Sequence, residues 1–279
     1  MRERTAGSQT KLRRGARQSA RRHPLTATLL HTLTLTALAD IGEVEPGDDL
    51  PLILGTALGK LPDPAAQAVL VVAQKVISKA EGRYRSLEAV TVSPRAVELA
   101  SLTGKDPRLV ELILSESVEV VRAKPNVLIV RHRLGYVMAN AGIDRSNVRG
   151  KDRVLLLPRD PDGSAAALRG SLMEQYGLEL GVVICDSFGR PWRRGVTHVA
   201  LGAAGLPALL DRRGEADRNG RRLEVTEVAL ADQLASAAGL LMGEGAEGRP
   251  AVAISGITWT AAPAPARSLI RPLAEDLFR

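Results

Sequence analysis

The stretch Gly181-Val182-Val183-Ile184-Cys185-Asp186-Ser187-Phe188-Gly189-Arg190-Pro191-Trp192-Arg193-Arg194-Gly195 changes character at a single residue. Val182 to Cys185 is a short apolar, β-branched run of the kind that makes a fully buried strand. Asp186 and Ser187 fall where that strand is expected to leave the sheet, followed by a basic cluster of Arg190, Arg193 and Arg194. A carboxylate at the mouth of a buried strand, with a hydroxyl beside it and guanidinium groups facing it, can hold a divalent cation against phosphate oxygens. The competing reading of this stretch taken alone is a solvated turn after a core strand. Asp-Ser-Phe-Gly is not the kinase DFG element, because no HRD catalytic loop or glycine-rich phosphate loop accompanies it.

A second strand ends in the same way. Residues 127 to 139 read as a hairpin turning at Leu134-Gly135, and the chain then delivers Asp144, with the amide of Asn147 three residues on. Asp144 and Asp186 are the pair expected to meet around metal. Ala68 to Val76 reads as a strong strand, and Lys79 just beyond it can reach a nucleotide phosphate; an exposed loop lysine is the plainer alternative. Helices are expected from the turn at Gly47-Asp48-Asp49 through Leu61, from Ser93 through Leu102, and from Asp106-Pro107 through Glu119. The acids Glu111, Glu116 and Glu119 of the third read as a solvated face. Val154 to Pro158 is another apolar run, and the turn Asp160-Pro161-Asp162-Gly163 caps a helix from Ala165 to Tyr176.

Asp211 to Arg222 reads as a long charged loop, and Thr226 to Met242 as an Ala- and Leu-rich helix. That helix runs into Gly243-Glu244-Gly245-Ala246-Glu247-Gly248, a glycine-rich segment whose free N–H groups can approach phosphates. A helix C-cap followed by a linker explains the same composition. Ala251 to Ile254 is a last core strand, and the Ala-Pro stretch after Trp259 reads as a loose tail. No Walker motif appears, and no GxGxxG lies between a strand and a helix. Of the four histidines, His23 and His31 lie in or near the N-terminal tail and His132 and His198 are far apart, so no metal spacing involves them. These patterns alone give a mixed fold and no more.

A length of 279 residues, 45% hydrophobic and 25% charged, is ordinary for a chain with a sizeable core, while 3% aromatic content argues against binding by aromatic stacking. The net charge of +7 is local. Residues 1 to 24 hold eight Arg or Lys and one acid, which leaves thirty basic and thirty acidic residues in a neutral body. The tail, poor in large apolar residues, is expected to be disordered. The following Leu-Thr-rich run imitates a signal peptide, but His31 and the alternation Leu33-Thr34-Leu35-Thr36 favour a first strand. No segment reaches the roughly 18 apolar residues of a membrane span. Cys185, the sole cysteine, cannot form an internal disulfide, which suits a reducing cytoplasm. The chain divides into a basic tail, 1–32, a body, 33–260, and a C-terminal tail, 261–279.

Six motifs carry a resemblance: GDDL at 47–50, VISKAEGR at 76–83, NAGIDRSNV at 140–148, LLLPRDPDGSA at 155–165, CDSFGRPWRRG at 185–195 and LLMGEG at 240–245. Together, in this order and spacing, they resemble the coenzyme F420-0:L-glutamate ligase (F420 gamma-glutamyl ligase) family, from about residue 33 to about 257. The resemblance implies an α+β, mixed α/β fold of that family, an intertwined homodimer with the nucleotide in its cleft, and the ligase domain only. It implies a GTP-dependent amide ligase: the γ-phosphoryl group of GTP activates the phospholactate carboxylate of coenzyme F420-0, and L-glutamate displaces phosphate. Some members add further γ-linked glutamates.

By the same resemblance, Asp144, Asp186 and Ser187 hold divalent metal, Mg2+ or Mn2+, with K+ as an additional candidate cation. GTP is contacted by Ile41, Gly42, Glu43 and Val44, by Gln74, Lys79 and Asn147, and by Met242, Gly243, Glu244, Gly245, Ala246 and Glu247. Ser187 stands where the family commonly has Thr and keeps the hydroxyl, Gln74 stands where some relatives have Ser or His, and the basic tail has no counterpart. Arg190, Arg193 and Arg194 are candidates for the acidic phosphodiester or for glutamate, from their position beside Asp186. Two other functions fit less of the chain: a related metal- and nucleotide-dependent ligase with another acidic acceptor, and nucleic-acid association through the basic arm, for which the neutral body offers no readout.

Overall fold

The computed structural model describes residues 31–146, 148 and 150–276. The N-terminal tail expected to be disordered, and the candidate nucleotide contact Asn147, lie outside the described residues.

In chain order the elements are β1 (Thr34–Ala37), α1 (Leu50–Gly59), β2 (Gln67–Ala73), α2 (Gln74–Ala80), β3 (Tyr84–Ser86), α3 (Pro94–Thr103), α4 (Pro107–Ser115), β4 (Ser117–Lys124), β5 (Val127–His132), β6 (Val137–Ala139), β7 (Arg153–Leu155), α5 (Pro161–Tyr176), β8 (Gly181–Arg190), β9 (Arg193–Ala204), β10 (Leu210–Asp211), β11 (Glu227–Val228), α6 (Leu230–Met242) and β12 (Ala251–Ser255). The mixture of helices and separate sheets is the expected α+β class. No helix among the described residues is long and apolar enough to cross a membrane.

The main sheet runs β1-β12-β2-β8-β9, and only β2 and β8 are parallel. Alternation sorts its side chains onto two faces. Leu70, Val72, Val182 and Ile184 pack with Leu54 and Leu58 of α1 and Leu168 and Leu172 of α5. Val69, Val71, Val183 and Cys185 pack with Leu234, Ala235 and Ala238 of α6. Each fully buried aliphatic side chain contributes about 1.5–3 kcal/mol, so the two-faced burial of β2 and β8 fixes their ends firmly. A smaller core joins α3 and α4 to the β4-β5-β6 sheet through Leu99, Val110, Ile113 and Val130.

Helix starts follow the sequence closely. Asp49, Ser93, Asp106 and Asp160 each accept a backbone N–H of the first turn beside a proline in that turn. Other expectations shift. The strand expected over 68–76 ends at Ala73, and Val76 and Ile77 are the buried side of a short helix instead. A short apolar run does not distinguish the two by period. The helix expected through Glu119 stops at Ser115, because Val118, Val120 and Val121 favour the strand that pairs with β5. The final helix starts at Leu230 rather than Thr226, since Glu227 and Val228 pair with Leu210 and Asp211 at the base of the charged loop. The stretch after Trp259 is not loose: Ala264 bridges Pro207, and the N–H of buried Ala266 donates to Asp162 Oδ1 at 2.7 Å.

Candidate functional site

β8 does not leave the sheet at Asp186, as expected, but continues to Arg190 in a long hairpin with β9, pairing Asp186 with Val199 and Ser187 with His198. Val196, Thr197 and Val199 supply β-prone partners that keep the polar half of the strand extended. Asp186 and Ser187 are therefore held rigidly, with their side chains in the wall of a cavity of about 610 Å³.

Distant parts of the chain meet there. The turn Ile41-Gly42-Glu43-Val44 lines one side, tied down by Gly47 N–H donating to Ala80 O at 2.9 Å and by buried Val44. Gln74, Lys75, Val76 and Lys79 come from the start and face of α2. Met242, Gly243, Glu244 and Gly245 close the cavity from the end of α6. Lys79 is buried, with Nζ 3.5 Å from Glu43 Oε1, so the exposed-loop alternative fails for it. Gln74 is buried too and accepts from Ser78 Oγ at 2.9 Å.

Asp144 stands beside this wall rather than in it. A left-handed turn presents it: Asn140, Ala141 and Gly142 have φ of 53°, 52° and 65°. At Gly142 a Cβ would come within 2.6 Å of Met138 and 2.9 Å of Leu157, so only glycine satisfies both the backbone and the space. Asp144 then exchanges both backbone hydrogen bonds with Leu155, each 2.9 Å. Its Oδ2 lies 2.6 Å from Lys75 Nζ, and its Oδ1 accepts from Ser146 N–H at 2.6 Å. Lys75, which lines the cavity, links the two carboxylates electrostatically.

The two carboxyls are pushed apart. Burial raises Asp144, but the hydrogen bond and charge of Lys75, with Ser146, bring it below the ordinary value. Burial raises Asp186 to about 7; the Ser187 N–H and Lys75 oppose this, while the charges of Asp144 and Glu244 add to it. A carboxylate disfavoured by its surroundings at a cavity wall marks a candidate functional site.

The donor chemistry suits a hard cation, because Asp144, Asp186 and Ser187 offer only oxygen and burial disfavours the Asp186 carboxylate beyond what the Ser187 N–H and Lys75 offset. Among the described residues no group of three or more His, Cys, Asp or Glu is gathered as a metal cluster. Such a set is typical of Mg2+ sites completed by water and substrate phosphates rather than by protein.

Some expected residues are not brought in. Ala246 and Glu247 do not line the cavity, and Glu247 turns back to accept from Gly245 N–H at 2.8 Å. Arg190, Arg193 and Arg194 do not face Asp186. They lie at the exposed hairpin tip, where Arg190 pairs with Arg193, roughly 13 Å along the strand at about 3.3 Å per residue. The solvated face read for Glu116 is also wrong: its carboxylate meets Arg83, Arg133 and His132 in the interior. Lys75 and His198 are cavity residues that the motif reading passed over. A polar residue inside the strand run Val196-Thr197-His198-Val199 is the signal for the latter.

Sequence comparison identifies the family. The model of the F420-0:Gamma-glutamyl ligase family matches residues 39–256. The chain is 44% identical over 250 residues to the coenzyme F420:L-glutamate ligase of Methanothermobacter thermautotrophicus, covering 88% of this chain and 99% of that one. It is 45% identical over 254 residues to the protein of the same name from Methanopyrus kandleri, covering 90% and 99%. For that of Archaeoglobus fulgidus the identity is 44% over 242 residues, covering 85% and 96%. The chain therefore belongs to the F420-0:Gamma-glutamyl ligase family, a family of ligases.

Proposed function

We propose that this ligase, which adds glutamate in coenzyme F420 biosynthesis, is driven by GTP and acts on coenzyme F420-0. The observation that carries the reading is the convergence of four separate motifs on one cavity with an electrostatically disfavoured carboxylate in its wall. In the proposed reaction the F420-0 carboxylate oxygen attacks the γ-phosphorus of GTP, forming an acyl phosphate and releasing GDP. The amine nitrogen of L-glutamate then attacks the acyl carbon, phosphate departs, the amide bond forms and the amine loses a proton.

The protein's part is positional and electrostatic, as phosphoryl transfer requires. Asp144, Asp186 and Ser187 would hold Mg2+ or Mn2+, which when bound neutralises charge on the phosphates. Lys79, held by Glu43, and Lys75, held by Asp144, present ammonium groups to the anion from α2. The loop from Met242 to Gly245 and the turn from Ile41 to Val44 enclose the nucleotide, and a homodimer is the proposed assembly. Arg190, Arg193 and Arg194 are proposed to meet the acidic acceptor away from the metal carboxylates.

The test is GDP release with GTP, Mg2+ or Mn2+ and L-glutamate, with and without F420-0, while following the acceptor's mass. A glutamyl increment that requires both F420-0 and GTP is expected. GTP turnover without the increment would reject the acceptor, and absence of turnover with either metal would reject the nucleotide reaction.

A further inference from the structure

His198 is a buried side chain of β9 for which the motifs assign no role. Its ring sits in a slot between β9 and α6 that exists because residue 239 is glycine: a Cβ there would come within 2.9 Å of the imidazole. Ser236 Oγ donates to the His198 carbonyl at 2.8 Å and lies 2.8 Å from Thr197 Oγ1, which fixes the backbone on both sides of the slot. Toward the core, His198 Nδ1 lies 3.6 Å from Cys185 Sγ. Toward the cavity, its Nε2 lies 3.1 Å from Glu244 Oε1.

These contacts have a direction. Cys185 is fully buried, and its Sγ also lies 3.8 Å from Met242 Sδ, so the core side of the ring is closed off by sulfur. A carboxylate oxygen accepts, so the 3.1 Å contact puts an imidazole proton on Nε2, aimed at Glu244. Glu244 itself is half exposed and sits just after Gly243, whose φ of 73° and ψ of −178° belong to a region essentially confined to glycine. Gly243 turns the chain back from the end of α6, and the carboxylate that follows lands on His198. Glu247, by contrast, is spent on the loop's own backbone. A histidine satisfied within the core would have its polar atoms paired there; this one reaches out of the core to a mobile-length side chain on the cavity rim.

We propose that His198 is a positioning residue that clamps Glu244, and through it the glycine-rich loop, against the nucleotide cavity. The inference rests on the reading of that cavity as the GTP site, and it deepens it by naming what presets the loop before nucleotide arrives. A preset loop lowers the ordering cost of binding and acts on affinity rather than on the chemical step.

The test compares His198→Phe, which keeps a ring without the Nε2 donor, with His198→Gln, which places an N–H near the same point. Glu244→Ala breaks the same contact from the solvent side without touching the core. Two measurements are made on the full chain: backbone hydrogen exchange over 243–248 without nucleotide, and KM for GTP against kcat. His198→Phe and Glu244→Ala are each expected to speed loop exchange and raise KM for GTP by about tenfold, the scale of one charged hydrogen bond. His198→Gln restores most of both, and the double variant His198→Phe/Glu244→Ala is no worse than Glu244→Ala.

Unchanged loop exchange in both His198→Phe and Glu244→Ala overturns the proposal. So does additivity in the double variant, or a loss with His198→Gln equal to that with Phe. If the protein turns over no GTP, the exchange arm still decides the role of His198, and the nucleotide reading fails on its own.

Discussion

The knots of charge around Glu116 and around Asp186 are built in opposite ways. Around Glu116, one carboxylate is surrounded by Arg83 Nη2 and Arg133 Nε, each 3.2 Å away, with His132 Nε2 at 3.5 Å. Burial pushes Glu116 upward, but the approach of His132 and the charges of Arg83 and Arg133 outweigh it and bring it to about 2. Around Asp186 the balance is reversed: burial, Asp144 and Glu244 outweigh Lys75, and the carboxyl rises to about 7. The first knot finds its counter-charges within the protein and ties α4 and β4 to the segment after α2. In the second, the Ser187 N–H and Lys75 do not offset burial among the described residues, and the carboxyl faces a cavity. A carboxylate whose charged form is disfavoured by burial at a pocket is destabilising unless something outside the fold uses it.

Replacing Asp186 gives the largest expected effect and the sharpest break in this contrast. Asp186→Asn keeps the shape and removes a charge that its surroundings disfavour. Ligase kcat should fall by about 100-fold or more, as when a group that stabilises transition-state charge is lost. Thermal stability should stay level or rise. Assay of kcat alongside Tm checks both, and a variant that retains activity but loses stability would put Asp186 in the same class as Glu116.

Glu116→Gln should do the opposite. Breaking a buried, hydrogen-bonded charge set leaves Arg83, only 4% exposed, short of its counterion, at a cost of about 3 kcal/mol. KM values of the folded variant should stay within about twofold, since no contact to the cavity is lost. The folded-state pKa is depressed, so Glu116's contribution is present above its ordinary value of 4.5 and is lost as the pH falls through about 2. The stability gap between wild type and variant, followed by urea unfolding, should close over that window. A gap independent of pH would show that packing, not charge, makes the difference.

The sequence exposed one knot and hid the other for a physical reason. Asp186 follows the apolar half of β8 and Asp144 follows β6 by a short turn, so a carboxylate after the buried run Val182 to Cys185 is readable in one dimension even though the strand goes on to Arg190. The turn before Asp144 is readable only in part: Gly142 invites a left-handed backbone, whereas Ala141 at φ 52° does not, and it is held there by burial. Glu116 is invisible because its partners, Arg83, His132 and Arg133, come from other elements, and spacing along a helix says nothing of a strand laid across it. Lys75 escaped because the helix of which it is part was read as strand. His198 escaped because a histidine was weighed as a metal ligand, by spacing, rather than as a hydrogen-bond donor to a loop.

The hairpin tip holds a third arrangement, in which charge is neither balanced nor enclosed. Arg190, Arg193 and Arg194 are exposed, so water carries the cost of their like charge and folding gains little by losing it. Changing all three to Ala should therefore move unfolding free energy by less than about 0.5 kcal/mol. If the tip receives the acidic acceptor, KM for F420-0 or for glutamate should rise a few-fold, and the rise should shrink as salt screens the wild type's advantage over about 8–10 Å. KM for GTP should not change, because the tip lies outside the cavity wall. Steady-state kinetics at two ionic strengths decide the matter: unchanged KM for both acceptor substrates removes the tip from the site, and a change in KM for GTP alone joins it to the nucleotide instead.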